Sequence, residues 1–211
     1  MTETKVILFD FWGTLVENGV WSPTKQVQRT LRIDLPFSEF VVRLEESMMT
    51  TSFSSLSDAF RAVCAEFGIS EEGDIDYLVG MWNKSWMLSS MYPEVKQVLE
   101  SLKSKYRLVL VSNTDNFSIN RALDKFQLHS YFEKMFLSYE LGTIKTDEEF
   151  MSTILEELKV LPSDCVMVGD SVQSDIEPAE RAGVRAILVD RKGRRDHPSK
   201  IGSLAELEGM L

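Results

Sequence analysis

Five short apolar runs punctuate the chain: Val6–Phe9, Leu108–Val111, Met135–Leu137, Val166–Val168 and Ala186–Val189. They do not alternate apolar with polar residues, and polar or turn residues bound them. Unbroken runs of this length fit strands buried on both faces of a parallel sheet. Between the later runs, apolar positions recur at helical spacing. Pro93–Lys103 precedes the second run and Ser118–Phe126 follows it. Asp147–Leu158 precedes the fourth, and Ser174–Ala182 follows it and stops at Gly183. This alternation predicts an α/β fold, a Rossmann-like parallel sheet core with helices on both faces.

The rhythm breaks between Pro23 and Ser90, where no strand-like run occurs. Four amphipathic stretches predict helices instead: Thr24–Ile33, Phe37–Met49, Leu56–Phe67 and Ile75–Leu88. Pro36, Thr50–Ser55 and Gly68–Gly73 separate them. A helical module of about 65 residues is thus expected after the first strand, which makes the sheet domain discontinuous. The expected division is a core of residues 1–16 and 91–211, and an all-helical cap over 17–90 with its hinge segments. Asn18-Gly19 reads as a flexible turn in the first hinge.

Composition narrows the function classes. With 44% hydrophobic and 27% charged residues, the chain has the balance of a soluble globule. A net charge of −10 repels nucleic acid and anionic membrane, so neither is an expected partner. The basic stretch Arg191–Lys200 reads as a solvated loop. No apolar run approaches the roughly 18 residues of a spanning helix. The start at Met1–Lys5 lacks the features of a signal peptide, so a cytoplasmic location is expected. Cys64 and Cys165 form no CxxC or metal pattern and are expected to be buried free thiols.

The candidate chemistry lies just after the runs, because open parallel sheets bind ligands beyond the carboxyl ends of their strands. The first run is followed by Asp10-Phe11-Trp12-Gly13-Thr14 and the second by Ser112-Asn113-Thr114-Asp115. Lys145 comes after the third, Gly169-Asp170-Ser171 and then Asp175 after the fourth, and Asp190 after the fifth. Clustered carboxylates repel one another unless a cation neutralises them. Hard oxygen ligands suit Mg²⁺, which in turn binds phosphate. A magnesium–phosphate site is therefore expected. Competing signatures are absent: there is no GxGxxG, no GxxxxGK[ST], no HExxH at His129 or His197, and no GxSxG around Ser171.

In this order, the four motifs resemble the haloacid dehalogenase superfamily of aspartate-nucleophile hydrolases, in the branch with a helical cap inserted after the first strand. The resemblance spans essentially the whole chain. It implies that Asp10 attacks phosphorus and carries a phosphoaspartyl intermediate. It implies Mg²⁺ held by the Asp10 carboxylate, the Trp12 carbonyl and Asp170, with Asp175 helping directly or through water. Ser112 and the Asn113 amide would hold the phosphoryl oxygens, and Lys145 would neutralise charge on nucleophile and phosphate. The implied substrate is a small phosphorylated metabolite. Asp175 also reads as a first-turn acid in a capping box, with Ser174 at the N-cap and Glu177 at N3. Asp190 reads as a turn residue.

Two departures stand out. Trp12 occupies the position where phosphatases of this family carry a second aspartate, the general acid–base. Such help is typically about 10²–10⁴-fold, so slow hydrolysis of alkyl phosphates, or a preference for substrates with good leaving groups, is expected. Asp115, Glu17 or a water are the open substitutes. Thr146 replaces the usual Pro after Lys145, which is expected to loosen that loop. The dehalogenases of the superfamily carry an aromatic residue at the Trp12 position, since halide leaves without a proton. They need no metal, however, and retention of Asp170 and Asp175 favours phosphatase chemistry over a 2-haloacid dehalogenase. A non-catalytic phosphate-binding module is the third reading. In the insert, Trp21, Met48, Met49, Trp82, Trp86 and Met87 read as packing between helices in preference to substrate lining. Substrate identity, and monomer against homodimer, stay open.

Overall fold

The computed structural model describes residues 4–70 and 74–211. The leader reading at residues 1–3 and the Gly73 end of one helix boundary lie outside them. The chain opens with β1 (Val6–Phe9) and β2 (Val16–Glu17), then runs through α1 (Pro23–Thr30), α2 (Phe37–Met49), α3 (Leu56–Glu66) and α4 (Ile75–Met87). It returns through β3 (Ser90–Met91), α5 (Val95–Leu102), β4 (Arg107–Ser112), α6 (Ser118–Phe126), β5 (Lys134–Leu137) and α7 (Ser138–Leu141). It ends with α8 (Glu148–Leu158), β6 (Cys165–Gly169), α9 (Glu177–Arg181), β7 (Arg185–Val189), β8 (Lys200–Ile201) and a 3₁₀ segment at Leu204–Met210.

Six strands form one parallel sheet in the order β5-β4-β1-β6-β7-β8. Successive strand side chains point to opposite faces, which explains the unbroken apolar runs. Ile7, Phe9, Leu108, Leu110, Val166 and Val168 pack on one face with α5 and α6. Val6, Leu8, Val109, Val111, Cys165 and Met167 pack on the other with α8 and α9. All five predicted strands are present, each extended by a residue or two except β1, which matches. Two-residue strands were not anticipated. They are too short to show a period, and exist because a partner strand pairs with them.

Four helices occupy the stretch between β2 and β3. α1–α4 enclose an apolar cluster of their own, containing Met48, Met49, Phe60 and Trp82. Met48, Met49 and Trp82 are thus packing residues as expected, whereas Trp21 and Met87 are exposed. α1 ends earlier than predicted, at Thr30, and Arg32 beyond it adopts a left-handed φ of 52°. The insert leaves and re-enters through an antiparallel ribbon, where Val16 pairs with Met91 and Glu17 with Ser90. Polar contacts seat it on the sheet layer. The Asn116 amide brackets the Phe53 backbone with two 3.1 Å hydrogen bonds, and the Trp82 indole donates to Asp115 at 2.9 Å. Cys64 and Cys165 are buried free thiols, in line with expectation. No helix among the described residues is long and apolar enough to cross a membrane.

Candidate active site

The carboxyl ends of β1, β4 and β6 converge on one cavity of about 800 Å³. Asp10 follows β1 directly, and its backbone N–H donates to the Val168 carbonyl at 2.9 Å. Sheet register therefore brings the Asp10 and Asp170 segments together. Two glycines permit the close approach. A Cβ on Gly169 would meet Asp175 Cγ at 2.3 Å, and one on Gly13, at φ +87°, would meet Asp170 Oδ2 at 2.6 Å.

Lys145 sits at the centre. Its ammonium donates to Asp10 Oδ1 at 2.6 Å and to Asp175 Oδ1 at 2.7 Å. Thr14 donates its hydroxyl to Asp10 Oδ2 at 2.9 Å, and the Ser171 amide donates to Asp175 Oδ2 at 2.9 Å. Hydrogen bonds hold the Lys145 loop on both sides of Thr146. Asp147 accepts from the Thr143 hydroxyl and the Ile144 amide, Asn113 Oδ1 accepts the Lys145 amide, and Arg181 binds the Thr146 carbonyl.

Electrostatics follow from crowding. Carboxylate oxygens of Asp10, Asp170 and Asp175 lie within 4.8 Å of one another. Burial raises Asp10 to about 6, with Asp175 adding to the rise and Lys145 opposing it. Burial, then Asp10 and Asp175, push Asp170 up to about 7. Burial pulls Lys145 down, but the two carboxylates outweigh it and hold its pKa above the ordinary lysine value. Three acids thus face one ammonium. The Arg195 guanidinium lies 3.9 Å from the Asp170 carboxylate, and it and Lys145 only partly offset the crowding. A hard divalent cation fits this donor set by charge and by atom type.

The structure brings Asp10, Trp12, Asn113, Lys145, Asp170 and Asp175 to the cavity wall. Ser112 is fully buried at the end of β4 and does not line the cavity. The capping box placed at Ser174 and Glu177 is corrected. A π-type turn spans Val172–Ile176, and its cap is Ser171, which accepts the Ser174 amide. The extra residue of the turn shifts the start and carries Asp175 inward. Asp115 is excluded from the cavity: one oxygen caps α6 through the Phe117 and Ser118 amides, and the other accepts from Trp82.

Two features escaped sequence reasoning. Glu45, on α2 of the insert, reaches the cavity and accepts from Asn113 Nδ2 at 2.7 Å. Nothing marks it in the run Leu44-Glu45-Glu46; docking of the insert decides which acid turns inward. The basic stretch is also more than a solvated loop. Arg191 stacks on Tyr92 at 3.4 Å and binds Glu94 and the Thr14 carbonyl, while Arg194 and Arg195 flank the cavity mouth. Asp190 is the expected turn residue, accepting the Arg194 and Arg195 amides.

The haloacid dehalogenase-like hydrolase family model matches residues 4–183. The chain belongs to this family. It is 28% identical over 209 residues to the glyceraldehyde 3-phosphate phosphatase of Methanothermobacter thermautotrophicus, covering 94% of this chain and 92% of that one. Among solved structures, a magnesium-bound HAD-hydrolase of Bacillus subtilis superposes with a TM-score of 0.71 at 17% identity, covering 100% of this chain and 99% of that one. The L-2-haloacid dehalogenase of Xanthobacter autotrophicus superposes at 0.69 and 16% identity, with 98% of each chain covered. These neighbours establish the haloacid dehalogenase fold, and the family makes the chain a hydrolase.

Proposed function

We propose that this chain is a magnesium-dependent phosphatase for a small phosphorylated metabolite, working through an aspartyl phosphate on Asp10. Residues 1–16 and 91–211 form the catalytic core and 17–90 its cap. The observation that carries the reading is the shared Lys145 ammonium between Asp10 and Asp175, with Asp170 alongside. Lys145 keeps the buried Asp10 ionised, and so nucleophilic, against a desolvation that favours the neutral acid. Asp10 forms the new oxygen–phosphorus bond as the ester oxygen departs, and water then cleaves the phosphoaspartate. The Asn113 backbone amide, at the end of β4, binds a phosphoryl oxygen and Lys145 neutralises its charge, while Ser112, buried behind the cavity wall, supports that segment without touching the substrate. Mg²⁺ would be held by Asp10, Asp170, Asp175 and the Trp12 carbonyl, and supplies charge neutralisation on the phosphoryl group.

The phosphatase relative, similar over nearly its whole length, supports this chemistry. Trp12 favours a second reading, halide release from a 2-haloacid. The three-acid cluster argues against it, since carbon–halogen cleavage by an aspartate needs no cation. Hydrolysis of para-nitrophenyl phosphate, with and without Mg²⁺ and beside Asp10→Asn, tests the proposal. Magnesium-dependent turnover that disappears in the variant is expected. No turnover on this ester, with halide released from 2-chloropropionate, would establish the dehalogenase. No turnover on either substrate, with phosphate still bound, would establish the binding module.

A further inference from the structure

We propose that Glu45, carried by the helical insert, is the proton donor to the leaving-group oxygen, in place of the acid that Trp12 cannot supply. The inference rests on the phosphatase reading above. In that reaction the bond from phosphorus to the ester oxygen breaks as Asp10 bonds to phosphorus. The departing alkoxide or phenoxide needs a proton unless it is already stable as an anion.

Few cavity groups can give one. Asp10 and Asp175 are tied to Lys145, and Asp170 belongs with them to the three-acid cluster that would hold the cation. Glu17 also lines the cavity, but it is exposed on β2 and its carboxylate has no partner among the described residues to fix it relative to Asp10. Asp115 is turned away with both oxygens engaged. Tyr92 lies under Arg191, with burial raising its hydroxyl beyond use as an acid. Glu45 remains.

Its placement fits the task. The Glu45 carboxylate accepts from Asn113 Nδ2 at 2.7 Å, Asn113 Oδ1 accepts the Lys145 amide at 2.9 Å, and Lys145 Nζ reaches Asp10 at 2.6 Å. A relay of two side chains thus fixes Glu45 relative to the nucleophile. Only Oε2 is used; Oε1 makes no hydrogen bond among the described residues and belongs to a side chain on the cavity wall. Asp10 rises from the end of β1, whereas Glu45 descends from α2. In-line transfer puts the leaving oxygen on the side away from Asp10, and Glu45 lines the same cavity from a different element, α2 of the insert. The groups facing Glu45 are Asn113 and Lys145, which favour its anion, and Asp175 and Asp10, which favour its acid. Burial dominates and raises it to about 7, so a proton is available near neutrality. After transfer, the Glu45 carboxylate can take the proton of the water that attacks the phosphoaspartate, which returns the acid to its starting state.

Aryl phosphates of graded leaving ability test this in the full chain with Mg²⁺. In Glu45→Gln the side-chain oxygen can still accept from Asn113, but there is no acidic proton. The variant is expected to lose at least tenfold more kcat on phenyl phosphate than on para-nitrophenyl phosphate, with an unchanged melting temperature. Equal losses on both esters would show a structural role and overturn the proposal, as would no loss at all. Wild-type protein that turns over para-nitrophenyl phosphate but not phenyl phosphate would also overturn it, since no donor would then be at work. No wild-type turnover of either ester would instead sink the phosphatase reading itself. A second variant guards against misfolding: adding Trp12→Asp to Glu45→Gln is expected to recover phenyl phosphate turnover preferentially, and failure to do so in a folded double variant counts against the assignment.

Discussion

Replacing Lys145 by Met asks whether one ammonium holds the acids of the site together. The lysine side chain is 4% exposed, and its Nζ lies 2.6 Å from Asp10 and 2.7 Å from Asp175. Met preserves much of the apolar stem and removes both charge-assisted hydrogen bonds. Taking one partner from a buried ion pair costs about 3–5 kcal/mol, because the charge left behind stays desolvated. For a chain of this size each kcal/mol moves Tm by roughly 2–4 °C, so a fall of roughly 6–20 °C follows at pH 8. The pH dependence has a definite sign. Asp10 already stands at about 6 against its ordinary 3.8, and Lys145 is what restrains it. Without the lysine it rises further. A carboxyl with a raised folded-state pKa leaves stability intact at low pH and erodes it as pH climbs towards the folded value. The gap between variant and parent therefore widens from pH 5.5 to pH 8. Thermal melts in EDTA at both pH values measure it. A fall below 2 °C at pH 8, or the same fall at both pH values, would refute the electrostatic account.

Three further outcomes follow from the same geometry. Mg²⁺ at about 100 times its Kd stabilises the wild type by about 2.7 kcal/mol, roughly 5–10 °C in Tm, and Asp170→Asn should abolish the rise; an undiminished shift in that variant would remove Asp170 from the cation site. Gly169→Ala places a Cβ 2.3 Å from Asp175 Cγ, and the resulting overpacking should cost about 1–3 kcal/mol together with most activity, read by melting and turnover. Gly19→Pro deletes the amide that donates to the Ser85 carbonyl at 2.8 Å and puts a Cβ 2.3 Å from the Leu88 backbone carbon; a lower Tm together with a changed kcat for para-nitrophenyl phosphate is expected, and unchanged melting and kinetics would refute the close packing of this turn.

Much of this architecture was legible because burial on both sheet faces leaves an unbroken apolar signature. β1 and α2 match their predicted bounds because a strand run ending in Asp10 and a helix following Pro36 both carry clear stops. The acids and Lys145 were legible by position after the strands. Glu45 was not, since an amphipathic helix shows which residues face its own core but not which polar ones face another layer. The start of the turn carrying Asp175 was misplaced for a local reason: Ser171 and Ser174 are equally good caps in sequence, and only the wider turn chooses between them. The role of Arg191 depends on Tyr92 and Glu94, about a hundred positions away in the chain, and no local pattern announces that contact.

The β2–β3 ribbon sets Glu17 directly opposite Ser90. Departure and return of the helical layer therefore share one doorway in the sheet layer. Closing a loop across a fixed short gap depends weakly on its length, each doubling adding only about 0.6 kcal/mol. A longer insert, a shorter one, or a bare Asn-Gly turn of the kind that suits antiparallel strands can bridge the same two residues. The chain between those two residues is thus a replaceable cassette. Grafting at two codons would exchange the whole helical layer, Glu45 included, while the parallel sheet keeps Asp10, Lys145 and Asp170 at its edge.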